Sequence, residues 1–207
     1  MDDTEDKVWE LFAQRELMRI DGGIHLTGEP QALPIERIIE NYYGISIEYH
    51  CLRKTLKVLG QMVFEGGHVP IYDRENQRYT LIDVPPNTML IDIRLIENRR
   101  YENRLRFTYA HELSHYLKDR AYFTDSDLVP AQIMANGAVK ENDEIERRAN
   151  RMASYLLLPA GQLKKAYYRM NGFNDPKIDV KLARLFGVSR KAVRIRLGEY
   201  GLSIGGR

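Results

Sequence analysis

Arg106-Phe107-Thr108-Tyr109-Ala110-His111-Glu112-Leu113-Ser114-His115-Tyr116-Leu117-Lys118-Asp119 carries an H-E-x-x-H pattern inside an apolar rhythm that predicts a helix. Residues four apart stack on one helix face, so both imidazoles can reach a single ion. Glu112 follows His111 at about 100° around the axis. It therefore sits beside an open metal position rather than in the ligand pair, where a general base is needed. Phe107, Ala110, Leu113, Ser114 and Leu117 form one uncharged arc, with the histidines at its edge. A metal ligand belongs there, half in the core and half facing a cleft. The bland alternative is a helix that holds two histidines by coincidence.

A catalytic zinc takes three protein ligands and leaves a fourth position open, so two histidines need a partner. The chain has a single cysteine, Cys51, which excludes an internal disulfide and a cysteine-based zinc site. Carboxylates crowd Glu141-Asn142-Asp143-Glu144-Ile145-Glu146, at the head of a helix expected over Asp143–Leu158 and stopped by Pro159. On that helix Glu144 shares a face with Arg147, Arg148 and Arg151, which is a solvated face. Glu146 aligns with Asn150, Ala153 and Leu157, which points inward, and it becomes the candidate third ligand. Its plainer role would be a carboxylate favoured by the helix dipole. Asn150, one turn on, could support a ligand histidine through its other ring nitrogen, or simply face water.

The 207 residues are 43% hydrophobic and carry a net charge of +2, enough for one good core without a strong pull toward nucleic acid or membrane. The acidic start Met1-Asp2-Asp3-Thr4-Glu5-Asp6 does not read as a signal peptide, and no apolar run is long enough for a membrane span. A cytoplasmic protein with no membrane partner is expected. A helix is expected over residues 4–20, with Val8, Leu11, Phe12, Leu17 and Ile20 on its apolar face. A second begins near Pro34, buries Ile35, Ile38, Ile39 and Tyr42, and ends at Gly44. Strands are expected at Ile45–Tyr49, Gly60–Phe64, Val69–Tyr72, Tyr79–Val84 and Met89–Ile93, forming a small antiparallel sheet. The last of these could offer its edge to an extended peptide or be an ordinary core strand. Arg120–Lys140 reads as a loop. No oxyanion-stabilising group can be chosen among thirteen tyrosines and His25, His50 and His68.

Taken together, Arg106–His115 resembles the R-F-T-x-A-H-E-x-x-H block of ImmA/IrrE-type metallopeptidases. Glu146–Ala153 with Leu156-Leu157-Leu158-Pro159 is similar to that family's E-x-x-A-N-x-x-A and L-L-x-P block. Leu185–Ser189 with Ala192–Leu197 is similar to its third block. The likeness runs from about Pro34 to Leu202. It implies zinc held by His111, His115 and Glu146, with Glu112 as the catalytic acid/base. It also implies a substrate class, helix-turn-helix repressors cut to release genes of mobile elements or stress responses. Ser114 stands where Gly is frequent in the family, and the first thirty residues match no family pattern.

The expected fold is therefore α+β: a small antiparallel sheet packed with a two-helix, zincin-like metal site, followed by a helix-turn-helix-like unit. Residues 1–33 are expected to be a helical appendage, 34–165 the metallopeptidase domain and 166–207 the C-terminal unit. In that unit Ser189 should cap the second helix, which Arg190, Lys191, Arg194 and Arg196 make basic. Those residues suit DNA reading, whereas the resemblance favours a packing module. Two functions follow: a zinc endopeptidase acting on a repressor, or a DNA-binding or repressor-binding regulator whose metal site is structural or vestigial. The intact Glu112 favours the enzyme, because a structural site has no use for it.

Overall fold

The computed structural model describes residues 3–119 and 138–205. Helix α1 (Asp3–Arg19) leads through a 3-10 turn to α2 (Ile24–Thr27). A short α3 (Ile35–Arg37) widens into a π turn over Ile38–Tyr42. The strands are β1 (Ser46–His50), β2 (Gly60–Val63), β3 (Gly67–Asp73), β4 (Arg78–Val84) and β5 (Thr88–Asp92). After α4 (Arg94–Glu97) comes α5 (Glu102–Ser114), continued by a π turn over His115–Asp119. Then follow α6 (Ala138–Leu157), α7 (Ala160–Arg169), α8 (Ile178–Phe186) and α9 (Arg190–Glu199). Most of the loop expected over Arg120–Lys140 lies outside the described residues. Its last three belong to α6, which starts five residues before the expected Asp143.

The sheet is mixed rather than antiparallel. Its order is β1-β5-β2, with β1 parallel to β5 from Ser46↔Thr88 to His50↔Asp92. β2 runs antiparallel on the other side, Gly60↔Ile91 through Val63↔Thr88. Alternation reports which face a residue occupies but not strand direction, so the sequence could not expose the parallel pair. All five residues of β5 are buried, which its central position explains. Of the two readings of this strand, the ordinary core strand is the one met: β5 has no free edge, and β1 and β2 are the outer strands. β3 and β4 form a separate hairpin, Gly67↔Val84 to Asp73↔Arg78, closed by Asp73, whose carboxylate accepts from Glu75 and Asn76 N–H. Leu52, Val63, Val69, Val84 and Leu90 make a core between sheet and hairpin. Asp92, fully buried, accepts from Leu52 N–H and is neutralised by Arg94 at 2.6 Å.

The chain divides into two compact units, Ile35–Asn150 and Met1–Pro34 with Arg151–Arg207. This differs from the three segments expected at 1–33, 34–165 and 166–207. Residues read as an appendage pack with the C-terminal helices. Trp9, Ala13, Leu17 and Ile20 are buried, while Val8 and Leu11, expected to be inward, are 59% and 64% exposed. Gln162 Nε2 donates to the Leu26 carbonyl at 2.5 Å. Arg196, 1% exposed, meets Glu10 of α1 at 2.7 Å and also reaches Glu199, Tyr200 and the Leu158 carbonyl. Tyr42 likewise leaves the apolar face expected of it, at 46% exposed.

Helices α8 and α9 pack through Leu182, Phe186, Val193 and Leu197, all buried. They are joined by Gly187 in the left-handed region, and Ser189 Oγ accepts from Ala192 N–H. Asp179, buried in the first turn of α8, takes Arg190 at 3.1 Å and Arg194 at 2.5 Å. Burial alone would push its carboxyl up, but hydrogen bonds from Arg194 and Arg190 outweigh that and hold it below the usual carboxylate range. A depressed pKa stabilises the fold above the unfolded value of about 4, and that stability is lost as pH falls through the folded pKa. The denaturation-midpoint gap between wild type and Asp179→Asn should therefore be constant above about pH 5 and shrink as pH drops below about 4. A gap that widened on acidification would contradict this pairing.

Candidate metal centre

All the residues of the site belong to the Ile35–Asn150 unit. Helix α5 buries Ala110, Leu113 and Ser114, which turns His111, Glu112 and His115 toward a cleft. The Ser114 hydroxyl would be a costly buried polar group, but it donates to the Ala110 carbonyl at 2.6 Å. From α6 come Glu146 and Asn150.

His111 Nε2 and His115 Nε2 lie 3.1 Å apart. Glu146 places one carboxylate oxygen 3.2 Å from His111 Nε2 and the other 3.4 Å from His115 Nε2. The ligand atoms of these three residues all fall within 4.8 Å of one another. Zinc bonds of about 2.0–2.1 Å in a tetrahedron put neighbouring donors about 3.3–3.4 Å apart. The two imidazole nitrogens match that spacing to within a few tenths of an ångström, and Glu146 turns one oxygen to each of them. Two imidazoles and a carboxylate also suit a divalent transition metal chemically, so the residues fit one. Hydrogen bonds from His111 and His115 hold the Glu146 carboxyl well below the usual range, so it is anionic, as a ligand must be. His111 Nδ1 lies 3.1 Å from Asn150 Oδ1. With that oxygen accepting, Nδ1 keeps its proton, and Nε2 is the nitrogen free to bind a metal once it gives up the proton that Glu146 accepts here.

Glu112 is 6% exposed. Burial pushes its carboxyl up, with His111, His115 and the nearby Met62 backbone N–H partly offsetting that. The cleft has a volume of about 610 Å³. One wall is α5 with α6; the other is β2 and its approach, Lys57 to Met62, with Phe64 beyond. Phe64 stacks on Tyr116 at 6.4 Å between ring centroids, and Tyr43 meets Tyr116 edge-on at 6.0 Å. This second wall was missed in the sequence, although a glycine opening a strand, Gly60, is a recognised sign of close approach. The other histidines stand elsewhere: His25 near Asp21, His50 on Glu48 and His68 on Asp83.

A family model described as the IrrE N-terminal-like domain, peptidase family M78, matches residues 92–198. The chain belongs to this family. In the IrrE-like chain the matched stretch begins in β5, contains His111, Glu112, His115, Glu146 and Asn150, and ends in α9. Membership makes it a protein of the metallopeptidase kind and implies a metal cofactor. No curated protein is significantly similar to it. A solved structure, a Mycobacterium tuberculosis transcriptional regulator, is similar over 93% of this chain and 46% of that one, with a TM-score of 0.51 and 16% identity. Likeness at that identity concerns the fold, and the IrrE-like chain spans about half the length of that structure. No helix among the described residues is long and apolar enough to cross a membrane.

Proposed function

We propose that this chain is a zinc-dependent endopeptidase whose substrate is a helix-turn-helix repressor, cleaved to release genes of a mobile element or a stress response. The observation that carries the reading is the convergence of His111, His115 and Glu146 with Glu112 buried beside them, in a cleft edged by β2. Zinc in that set supplies Lewis-acid polarisation of a peptide carbonyl and acidifies water. Glu112 takes the proton from the attacking water and returns it to the leaving amine. β2, an edge strand, offers main-chain hydrogen bonds that align an extended peptide across the cleft. Asn150 keeps the His111 tautomer that binds metal.

The test is incubation of the full chain with the helix-turn-helix protein encoded beside it, with and without a chelator. Cleavage that the chelator abolishes and zinc restores supports the proposal; cleavage indifferent to chelator defeats it. Asn150→Ala should weaken zinc binding by about 10–100-fold, and Glu146→Gln by more, in a competition titration. Unchanged affinity in the Glu146 variant would point to another carboxylate.

The second reading, a DNA-binding regulator with a structural metal site, drew on the basic residues of α9. Three of them are engaged within the chain: Arg190 and Arg194 on Asp179, Arg196 on Glu10 and Glu199. A buried Arg196 cannot contact a phosphate. These pairings favour a packing role for α8 and α9, and a gel shift that depends on Arg190, Lys191 and Arg194 would reverse that preference.

A further inference from the structure

Gly60 opens β2 where that strand faces α5. Its φ is not in the left-handed region, so the backbone conformation there is open to any residue. The demand for glycine is one of space. A Cβ at this position would stand 2.6 Å from Glu112 Oε1, 2.7 Å from Glu112 Cγ and 2.7 Å from Thr108 Cγ2. Ordinary contacts between such atoms lie at about 3.5–4.0 Å, so a methyl group must displace its neighbours by about 1 Å. Two residues on, the Met62 backbone N–H lies near the Glu112 carboxylate and favours its charged form.

We propose that Gly60 is a positioning residue for Glu112: its missing side chain lets β2 close on α5 until the strand backbone bounds the carboxylate and fixes it in the cleft. The same strand then serves both as the edge that receives a peptide and as the support that sets the base. The inference rests on the reading of Glu112 as that base. A displacement of about 1 Å in a reacting group lowers turnover by about a hundred-fold. Ligand atoms on α5 and α6 are untouched by it, so metal binding and ground-state binding of the substrate stay as they are.

The experiment has two arms. In the first, urea midpoints are measured on full-length, chelator-treated protein for four variants: T108S, G60A/T108S, E112A/T108S and G60A/E112A/T108S. Thr108→Ser removes the Cγ2 clash and keeps the hydroxyl that bonds the Arg104 carbonyl. Gly60→Ala should lower the midpoint while Glu112 is present and leave it nearly unmoved once Glu112 is Ala. A G60A/T108S protein that fails to fold while the triple variant folds is the same result in stronger form. Equal shifts in both backgrounds, or failure of both, overturn the proposal. In the second arm, G60A is titrated with Zn2+ and assayed on the neighbouring repressor. Unchanged zinc affinity and KM with kcat down about a hundred-fold support it; an altered KM or zinc affinity with kcat intact overturns it. Should the wild type cleave nothing, the role of Glu112 as base falls, and the four midpoints still decide whether Gly60 positions it.

Discussion

Glu112→Gln is expected to keep the metal content of the wild type and to lose about 10²–10⁴-fold in turnover. The substitution is nearly isosteric, so the side chain can keep its place between α5 and β2. The candidate ligands His111, His115 and Glu146 are left intact. What disappears is a group that can take a proton. Steady-state cleavage assays beside metal analysis of the same preparations check this, and a variant that cleaves at the wild-type rate ends the proposed mechanism. Loss of metal together with activity would instead assign Glu112 a structural part in the site.

Arg196→Met is expected to destabilise the unit formed by Met1–Pro34 and Arg151–Arg207 by about 3 kcal/mol, the lower end for breaking a buried pair. The guanidinium is 1% exposed, donates to the Leu158 carbonyl, Glu10, Glu199 and Tyr200, and lies 4.5 Å from the centre of the Tyr155 ring. Methionine fills part of the volume but meets none of those acceptors. Glu10 and Glu199 retain 21% and 42% exposure, so water recovers some of their solvation and keeps the loss below the upper limit. For a chain of this size the melting temperature should drop by about 6–12 °C. Calorimetry decides the point; a change under about 2 °C would mean that the buried network contributes little beyond what an apolar side chain supplies.

The parts of the site legible in the sequence were those with local geometry. His111 and His115 are one helical turn apart, and Glu146 and Asn150 are another such pair, so a helical wheel orders them without knowledge of the fold. That α5 and α6 lie side by side is a long-range fact, and there the wheel offered only two inward faces in need of a partner. β2 was legible as a strand and illegible as the cleft wall, because its approach to Glu112 depends on an absent side chain. Arg196 was read as one of a basic set because its burial depends on Glu10, 186 positions away. Val8 and Leu11 misled in the opposite sense: their spacing suits an apolar face, but Trp9, Ala13 and Leu17 hold the buried side of α1.

The pairing of Glu10 with Arg196 also sets an order of events on the ribosome. At about 5–20 residues per second, roughly 10–40 s pass between synthesis of the two residues. Over that interval α1 has emerged while the buried cation it packs against does not yet exist. The Ile35–Asn150 unit, with its sheet, hairpin and candidate ligands, is drawn from one continuous stretch and is synthesised whole before α9 begins. The cleft can therefore take shape while the helices that enclose Arg196 are still incomplete, and α1, made well before them, waits for its partner.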